Sequence, residues 1–478
     1  MRDKAMSLQS PMHPTRYDGL ALLADPIHGH ISFTVPIETQ DPHEITEKAL
    51  IDSRWMQRLR YINQLQSARW VYPSAEHSRF VHSLGAMHVA GRFAQHLYPS
   101  LADTTSGCPS ESLITALMRI AVLVHDIGHG PFCHFFDHQF LDTFHLSHEK
   151  LGQAIILRNL APWIGQIRRS PVGPFSSGEC LDPHHVAFLI HKDKDYKTPA
   201  TYPDWLVRLK PLFSGIYTAD NLDYVRRDAY MCGIAVGPVD LDRLIYYSFF
   251  TKEGLTLHRA GLPALTMFLN ARSYLYSNVY YHRTTRAIDL HLHDIFRETL
   301  TEIFPHNPIH RLDAYLGLTD WSLLLEVQSW QRSRSHKRRA LSDEWETLLH
   351  REVKWKMAYD TMFPYQADGE GLSASAIAQA IRRRLPRKQK DLPFRVDLAR
   401  QDPRPQNMLD MKEHQVYIYN PATRRVSKEG LSEYIGAMPS ELVQCRIYAL
   451  THAHDALLSR LAEQALGINP QREVPQNS

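Results

Sequence analysis

Two adjacent residues, His125 and Asp126, place an imidazole and a carboxylate at the end of an apolar stretch. The stretch predicts a buried helix, because its apolar residues recur at helical spacing: Leu113, Leu117, Ile120 and Val124. We predict that the helix begins near Ser110 and is stopped by Gly128 and Gly130, so that the pair lies in its last turn. A buried aspartate beside a buried histidine must be paired, hydrogen-bonded or bound to a metal. The pair therefore indicates either a metal site or a hydrogen-bonded core pair.

Further histidines and acids surround this pair. His82 lies at the head of a second helix-like stretch, and four more candidates follow the pair: His129, His134, Asp137 and His148. Asp220, Tyr224 and Asp228 fall at i, i+4 and i+8 and would share one helical face. That face could equally be a solvated polar surface. The number of imidazoles exceeds what one ion needs, so both metal ligands and acid–base groups are available.

The order of His82, His125-Asp126 and Asp220 resembles the signature of the HD-domain metal-dependent phosphohydrolases. Five stretches extend the resemblance to the deoxynucleoside triphosphate triphosphohydrolases of animal cells and bacteria. They are Asp25-Pro-Ile-His-Gly-His30, Gln57-Arg-Leu-Arg-Tyr-Ile-Asn-Gln-Leu65, Arg79-Phe-Val-His-Ser-Leu-Gly85, His125-Asp-Ile-Gly-His-Gly-Pro-Phe-Cys-His134 and Asp220-Asn-Leu-Asp-Tyr224. The matching stretches run from about residue 20 to about residue 290. Five ordered motifs are far more specific than one His-Asp pair.

The resemblance implies a metal centre formed by His82, His125, Asp126 and Asp220. Two imidazoles and two carboxylates suit one divalent transition metal ion, namely Mn, Fe, Zn, Co or Ni, and additional Mg is compatible with a phosphate substrate. Four protein ligands leave room on a six-coordinate ion for water and a phosphate oxygen. Such an ion polarises the phosphoryl group and can lower the pKa of a bound water.

The resemblance also implies the reaction and the residues that perform it. In the resembled enzymes water attacks the α-phosphorus, and the products are a deoxynucleoside and inorganic triphosphate. By motif position, His129 and His148 match catalytic and phosphate-facing histidines, Asp137 orients one of them, and His134 matches another phosphate contact. Imidazole suits proton transfer because it titrates near neutral pH.

The substrate-binding residues follow from the same motifs. They are Gln64, Leu65, Arg79, Tyr224, Asp228, Arg272 and Tyr280. The two arginines match phosphate-binding residues, since a guanidinium can bind two phosphate oxygens at once. Gln64, Leu65 and the two tyrosines match residues that line the deoxyribose pocket, where a tyrosine close to the 2′ position helps to reject ribonucleotides.

Two positions depart from the family pattern. Asn221 stands where the closest relatives have a lysine directly after the third metal-binding carboxylate, so one phosphate-binding charge is missing. Tyr281 stands where they have a glutamine, which changes the wall that faces the base. These departures bear on affinity for a full triphosphate and on the choice of base, and they leave the four metal ligands unchanged.

A nucleotide effector is a further expectation from the resemblance. Asp52, Gln57 and Arg60 match residues that hold an activating guanine nucleotide at a subunit interface, and these groups can hydrogen-bond to the edges of guanine. A basic residue expected just before Asp25 is absent, because Ala21 and Leu22 occupy that region. The alternative is that the three residues cap and brace an ordinary helix.

The pattern along the chain predicts a mainly α protein with two lobes. We predict an HD-domain helical core over residues 1–330 and a smaller mixed α+β C-terminal lobe over residues 331–478, because 478 residues exceed one usual core. Loops are expected near 99–110 and 170–183. In the second lobe we predict strands at Phe394–Ala399 and Val416–Tyr419, a turn at Asn420-Pro421, and a closing helix from about Ser440 to Leu466.

Composition limits the partners and the compartment. The net charge of +3 is too small to indicate nucleic-acid binding by itself, although Arg332–Arg339 and Arg382–Lys390 are basic clusters that could contact phosphates. No run approaches the ~18 apolar residues of a membrane helix, and the first residues lack a signal-peptide core. Five cysteines without paired spacing fit a reducing cytoplasm.

Three functions remain open from the sequence. The first is a dNTP triphosphohydrolase, with a deoxynucleotide substrate, a nucleotide effector and a homo-oligomeric assembly implied by resemblance. The second is an HD phosphohydrolase of another nucleotide, such as a monophosphate, a cyclic nucleotide or an alarmone. The third is a regulator that binds nucleotide or nucleic acid through a sensing HD site.

Overall fold

The computed structural model describes residues 17–37, 39–192, 201–364, 373–401, 415–429, 431 and 442–467. Helices dominate these residues, which confirms the mainly α prediction. In chain order they are α1 (Glu47–Ile51), α2 (Arg54–Arg58), α3 (Arg79–Thr104), α4 (Glu111–Leu123), α5 (His134–Gln139), α6 (His148–Ile155), α7 (Ala161–Ile164), α8 (Pro183–Ile190), α9 (Asp204–Arg208), α10 (Pro211–Ser214), α11 (Ala219–Cys232), α12 (Leu241–Tyr246), α13 (Leu262–Leu275), α14 (Arg283–Ile303), α15 (Leu312–Leu316), α16 (Asp320–Ser329), α17 (His336–Leu349), α18 (Ala374–Arg384) and α19 (Asp455–Leu466).

The strands form small sheets at the edges of the helical body. They are β1 (Leu20–Asp25), β2 (Gly29–Thr34), β3 (Arg169–Ser170), β4 (Gly173–Pro174), β5 (Ser248–Phe250), β6 (Leu255–His258), β7 (Lys356–Pro364), β8 (Phe394–Gln401), β9 (Tyr417–Asn420), β10 (Arg425–Ser427) and β11 (Leu442–Ala449). The sheet orders are β1-β2, β3-β4, β10-β9-β6-β5 and β7-β11-β8. The β6–β9 pair is parallel, and every other pair is antiparallel.

Helix α3 packs against both α4 and α11, and the candidate metal ligands lie on α3, on α11 and in the turn after α4. Ser110 caps α4 as predicted, because its hydroxyl accepts a hydrogen bond from the Leu113 backbone amide. Every side chain of α4 from Ser112 to Leu123 is buried, so the helix lies inside the core, and its buried Arg119 pairs with Glu47.

The predicted end of α4 is wrong. The helix ends at Leu123, and His125 and Asp126 lie in the turn that follows it rather than in its last turn. Gly128 does not stop the helix but allows a close approach between this turn and α6. A Cβ at Gly128 would lie 2.0 Å from the backbone oxygen of His148. No side chain larger than hydrogen fits there without moving the backbone.

The backbone beyond this turn is strained and firmly held. Phe132 and Cys133 have φ of 61° and 54°, which non-glycine residues rarely adopt. The Asp320 carboxylate accepts a hydrogen bond from the Phe132 amide at 2.8 Å, and Arg58 donates to the His129 carbonyl at 2.6 Å. Tyr315 donates to the Gly128 carbonyl at 2.8 Å. Residues far along the chain therefore fix the turn that carries His125, Asp126 and His129.

The predicted loop near 99–110 is shorter than expected. Helix α3 continues through Pro99 to Thr104, so the connection to α4 begins only at Thr105. Proline is tolerated here because only one turn of the helix follows it and few backbone hydrogen bonds are lost. The predicted loop near 170–183 contains the short β3–β4 hairpin and then leads to α8.

The C-terminal strands pack on their own small core. It includes buried residues of β8, β11, α18 and α19: Phe394, Cys445, Ile447, Ile377, Ile381, Leu458 and Leu461. Helix α17 instead packs in the large core through Leu341, Trp345 and Leu348. The lobe boundary at residues 330/331 stays a prediction.

The C-terminal predictions are partly right. Strands β8 and β9 confirm the strand predictions at 394–399 and 416–419, and a turn follows Asn420. The predicted helix from Ser440 to Leu466 is wrong in its first part. Strand β11 occupies Leu442–Ala449, because this stretch pairs with both β7 and β8, and only Asp455–Leu466 is helical. Residues 440 and 441 lie outside the described residues.

Candidate active site and metal centre

The structure brings the four predicted metal ligands together from three elements. The Nε2 atoms of His82 and His125 lie 3.3 Å and 3.6 Å from one carboxylate oxygen of Asp220. They lie 3.8 Å and 3.2 Å from oxygens of Asp126. His82 comes from α3, Asp220 from the first turn of α11, and the His-Asp pair from the turn after α4. Their nitrogen and oxygen atoms therefore converge on one point.

His82 is oriented by a buried carboxylate that sequence analysis did not assign. Its Nδ1 lies 2.8 Å from Asp223 Oδ2, and Asp223 also pairs with Arg227, which in turn pairs with Asp25 at 2.8 Å. A carboxylate behind a histidine ligand fixes the ring and raises its basicity. Burial alone would lower the pKa of His82, but hydrogen bonds to Asp220 and Asp223 outweigh burial and raise the pKa to about 10.

The donor set fits a divalent transition metal ion. His125 Nδ1 lies 2.6 Å from the Val122 carbonyl and is therefore its donor nitrogen, which leaves the lone pair on Nε2. That Nε2 atom is buried and has no hydrogen-bond partner. An orphaned buried imidazole nitrogen directed at carboxylates is the state expected of a metal ligand. Ligand atoms of His82, His125 and Asp220 all lie within 4.8 Å of one another.

A second cluster adjoins the first and contains the four predicted catalytic residues: His129, His134, Asp137 and His148. His148 Nδ1 lies 2.5 Å from Asp137 Oδ2, and His134 Nδ1 lies 3.5 Å from the same oxygen. The rings of His129 and His148 stack with centroids 3.7 Å apart. One carboxylate thus orients two imidazoles, and the third imidazole packs on one of them.

The charges in this cluster differ from one histidine to the next. Burial would lower the pKa of His148, but the Asp137 carboxylate outweighs burial and raises it to about 9. Burial and the nearby Arg79 hold the pKa of His129 well below its usual range. His148 is therefore an imidazolium at neutral pH, and His129 is neutral. This is the arrangement expected when one imidazole contacts an anion as a cation and the neighbouring imidazole stays neutral.

One cavity of about 630 Å³ joins the two clusters to the predicted substrate residues. Ten of the predicted metal-binding, catalytic and substrate residues line the cavity: Gln64, Leu65, Arg79, Asp126, His134, His148, Asp220, Tyr224, Asp228 and Tyr280. The volume is in the range of small-molecule sites. The cavity continues along α14, where Thr285, Arg286, Asp289 and His293 line it.

The predicted substrate-binding residues that line the cavity are held by buried partners. Tyr280 donates a hydrogen bond to Asp228 at 2.6 Å, and Asp228 also accepts from His77 at 2.8 Å. Arg79 binds the Asp126 carboxylate and donates to the Cys133 sulfur at 2.9 Å. Arg272 lies behind the lining, with its guanidinium 5.5 Å from the centre of the Tyr276 ring. Burial together with nearby charges shifts the pKa of Tyr280 well above its usual value, so its hydroxyl stays protonated.

Sequence analysis missed Lys192. Its ammonium lies 3.4 Å from Asp220 Oδ2 and borders the same cavity. It follows α8, far along the chain from the recognised motifs, so no local signal could identify it. Asn221, where a lysine was expected, uses its amide to close a capping box with Thr218 at the start of α11. The cation beside Asp220 therefore comes from another part of the chain.

The predicted effector residues lie away from the cavity lining. Asp52 forms an ion pair with Lys48 at 2.5 Å, and both side chains are half exposed. Arg60 donates to Gln57 at 2.7 Å and stacks over the Phe80 ring. Gln57 donates to the Ile51 carbonyl at 2.8 Å. These contacts brace α1 and α2, and effector binding stays a prediction.

No helix among the described residues is long and apolar enough to cross a membrane. All five cysteines are free thiols, and two of them, Cys133 and Cys445, are buried.

Comparisons with known proteins agree with this site. Residues 79–170 match the HD domain, and residues 239–343 match the HD associated region. The deoxynucleoside triphosphate triphosphohydrolase SAMHD1 of Bos taurus is 41% identical over 337 residues, which are 65% of this chain and 54% of the relative. An uncharacterised protein of Bacillus subtilis, YwfO, is 30% identical over 297 residues, which are 59% of this chain and 62% of the relative. The match therefore spans about half to three-fifths of these relatives.

Solved structures share the fold. A hypothetical protein from Aquifex aeolicus superposes with a TM-score of 0.65 at 25% identity, covering 94% of this chain and all of that one. A phosphohydrolase from Bacteroides thetaiotaomicron superposes with a TM-score of 0.63 at 20% identity, covering 90% of this chain and all of that one. With the convergent His and Asp side chains, these findings show that the chain contains an HD domain and an HD associated region and is similar to deoxynucleoside triphosphate triphosphohydrolases.

Proposed function

We propose that this protein hydrolyses deoxynucleoside triphosphates to a deoxynucleoside and inorganic triphosphate in a metal-dependent reaction. One observation carries the proposal: the candidate metal ligands Asp126 and Asp220 border the same cavity as His134 and His148, the cations and the tyrosines. A triphosphate carries about four negative charges near neutral pH. The cavity supplies Arg79, Lys192 and the His148 imidazolium to meet them.

A divalent ion bound by His82, His125, Asp126 and Asp220 would polarise the α-phosphoryl group and favour ionisation of the attacking water. The buried Asp223 supports this task by holding the His82 ring. Arg79 pairs with Asp126 in the structure and borders the cavity, so it is placed to contact both a ligand and a phosphate oxygen.

His134 is the best placed proton donor to the leaving group. Hydrolysis forms a bond between the water oxygen and the α-phosphorus and breaks the bond from that phosphorus to the 5′ oxygen. The 5′ oxygen then needs a proton. The His134 ring is more than half exposed and borders the cavity, while its Nδ1 faces Asp137. Its Nε2 is therefore placed to face the substrate, and His148, which also borders the cavity, is left to contact the phosphates.

The tyrosines form the deoxyribose end of the proposed site. Tyr224 and Tyr280 border the cavity beside Gln64 and Leu65. Asp228 fixes the Tyr280 hydroxyl, so the ring cannot swing away. A rigid aromatic wall at this position would leave no room for a 2′ hydroxyl, which is the basis on which we propose preference for deoxyribonucleotides.

A second candidate is hydrolysis of a nucleotide with fewer phosphates. It is favoured by Asn221, because the amide that replaces the expected lysine is engaged in the helix cap. It is opposed by Lys192, which returns a positive charge to the same carboxylate. We further propose that the protein works in the cytoplasm as a homo-oligomer and that Asp52, Gln57 and Arg60 bind a nucleotide effector.

The test is product analysis with each dNTP and NTP, alone and mixed, in Mg²⁺, Mn²⁺ and Co²⁺. Release of deoxynucleoside with intact triphosphate, lost in His125→Ala, is the expected result. His336→Ala is the matched control, because His336 is an exposed histidine at the start of α17. Hydrolysis of a nucleoside monophosphate or cyclic nucleotide without triphosphate release from any dNTP or NTP would favour the second candidate, and turnover only in mixtures would support the effector site.

A further inference from the structure

One wall of the cavity is built at the start of α14. Tyr281, Thr285, Arg286 and Asp289 line the cavity there. The metal ligands at the other end would take the phosphates, so this wall faces the nucleoside. Its guanidinium, carboxyl and hydroxyl groups can hydrogen-bond to the edges of a base.

The C-terminal sheet presents a row of alternating charges to this wall. Arg446 on the central strand β11 lies opposite Asp397 on β8 and opposite Asp360 on β7. Side chains at directly paired positions lie on the same face of a sheet. Asp397 and Arg446 are buried, with 5% and 4% of their surface exposed, so these charges are enclosed and must be satisfied locally.

The charges in this row bind the cavity wall directly. Arg286 donates to the two oxygens of Asp397 at 2.5 Å and 3.0 Å. Arg446 donates to the backbone carbonyl of Tyr281 at 2.5 Å, and the buried Tyr448 hydroxyl donates to the carbonyl of Arg283 at 2.9 Å. The bonds to the Tyr281 and Arg283 carbonyls hold the main chain at the start of α14, and the Arg286–Asp397 pair holds a side chain that borders the cavity.

Apolar packing and a further charge complete the contact. Tyr448, Trp355 and Ala287 form a small buried cluster between the sheet and α14. Trp355 donates to Asp294 at 3.1 Å, and Arg395 donates to the same carboxylate at 2.7 Å. The sheet is therefore attached along more than two turns of the helix, which restricts both its position and its rotation.

We infer that the C-terminal sheet acts as a clamp that sets the nucleoside end of the active site, with Asp397 and Arg446 as positioning residues. The inference rests on the proposed function, because it needs a nucleotide in the cavity. A guanidinium held at both nitrogens by a carboxylate keeps a fixed plane. Without Asp397, Arg286 would keep only its longer contact with Asp289 at 3.3 Å and could turn into the cavity, and the Tyr281–Arg286 segment would loosen. The clamp thus assigns the C-terminal sheet a role in substrate choice rather than in chemistry.

The experiment compares Asp397→Asn and Asp397→Glu with the parent protein. Asp455→Asn is the matched control. Asp455 is the first residue of α19, and it pairs with the exposed His452 just before that helix. Three quantities are measured: the KM for each dNTP, the inhibition constant of inorganic tripolyphosphate, and deuterium exchange of the amides of residues 281–290. Peptides from α11 serve as the internal reference for exchange.

For Asp397→Asn we expect a roughly tenfold rise in the dNTP KM, as for a residue that acts on the ligand only through its neighbours. We expect an unchanged constant for tripolyphosphate, faster exchange in residues 281–290 only, and partial recovery in Asp397→Glu. A merely structural role would weaken tripolyphosphate binding as well. Unchanged exchange and KM, or equal weakening of both ligands, would overturn the clamp. Deuterium exchange of the amides tests the clamp without any turnover. Absence of triphosphate release by the parent protein would therefore overturn only the proposed function.

Discussion

Replacing Asp223 by asparagine tests whether a buried carboxylate controls the metal centre. The side chain of Asp223 is fully buried, and its oxygens accept hydrogen bonds at 2.7–2.8 Å from His28, His82 and Arg227. Burial would raise the pKa of Asp223, but Arg227 and the two histidines outweigh burial and hold the pKa well below its usual range. The carboxylate is therefore ionised and balances Arg227.

Asparagine keeps the shape of the side chain but removes this charge. Its amide NH₂ would face one of the present donors, so at least one bond to His82 or Arg227 is lost. Breaking a buried ion pair costs about 3–5 kcal/mol. Arg227 retains Asp25 at 2.8 Å, so we expect about 3 kcal/mol, the lower end of that range. Loss of the group that orients a histidine ligand weakens metal affinity by roughly 10–100-fold.

Both effects can be measured on the same preparation. Metal content is determined by mass spectrometry after dialysis against graded chelator, and the free energy of unfolding of the metal-free protein is determined in urea. Asp242→Asn is the matched control, because Asp242 pairs with Arg92 and its side chain is 82% exposed. We expect this control to change stability by less than about 0.5 kcal/mol. Wild-type metal affinity in Asp223→Asn would refute the orienting role, and a stability loss equal to that of the control would refute the ion-pair argument.

Four further predictions follow from the same geometry. Lys192→Met should raise the KM for triphosphate by about tenfold with normal metal content, whereas Lys192→Arg should keep it nearly unchanged; equal KM values in steady-state kinetics would contradict a phosphate contact. Gly128→Ala should lower the midpoint of thermal unfolding strongly, because the new Cβ would lie 2.0 Å from a backbone oxygen, and an unchanged midpoint would contradict the close packing. Asp137→Asn should lower the free energy of unfolding most near pH 6, and the difference should fade as pH rises through about 9. Protonated His148 stabilises the fold at pH values below its pKa in the unfolded chain, and this stability is lost as pH rises through its raised pKa in the folded protein. A pH-independent difference in urea titrations would contradict the ion pair. Hydrolysis in ¹⁸O-labelled water should place the label in triphosphate, and label in the deoxynucleoside would contradict attack at phosphorus.

Local patterns were sufficient for the elements that carry the metal ligands. The apolar spacing of α4, the Ser110 cap and the shared face of Asp220, Tyr224 and Asp228 on α11 depend only on neighbours within a few turns. The same applies to the strands β8 and β9, whose alternation is short-range. The motif order that identified the four ligands is likewise a property of the chain and is written in its sequence.

Errors arose where distant contacts override local preference. The segment 442–449 mixes helix formers with the strand formers Val443, Ile447 and Tyr448, and it becomes a strand because β7 and β8 offer it partners on both sides. The end of α4 depends on the approach of α6 to Gly128, which is visible only in three dimensions. Lys192 was missed because its place beside Asp220 results from the packing of α8 against the core rather than from any motif.

The sequence by itself therefore determined the class of the fold, and it indicated the HD domain and the candidate metal-binding residues, because side-chain chemistry and short-range spacing are sufficient for these. Only the tertiary structure decided which carboxylate orients His82, which cation faces Asp220, and how the C-terminal sheet holds the wall at Arg286. Those contacts join residues far apart in the chain. Their distances are set by the packing of whole helices and sheets, which no local pattern records.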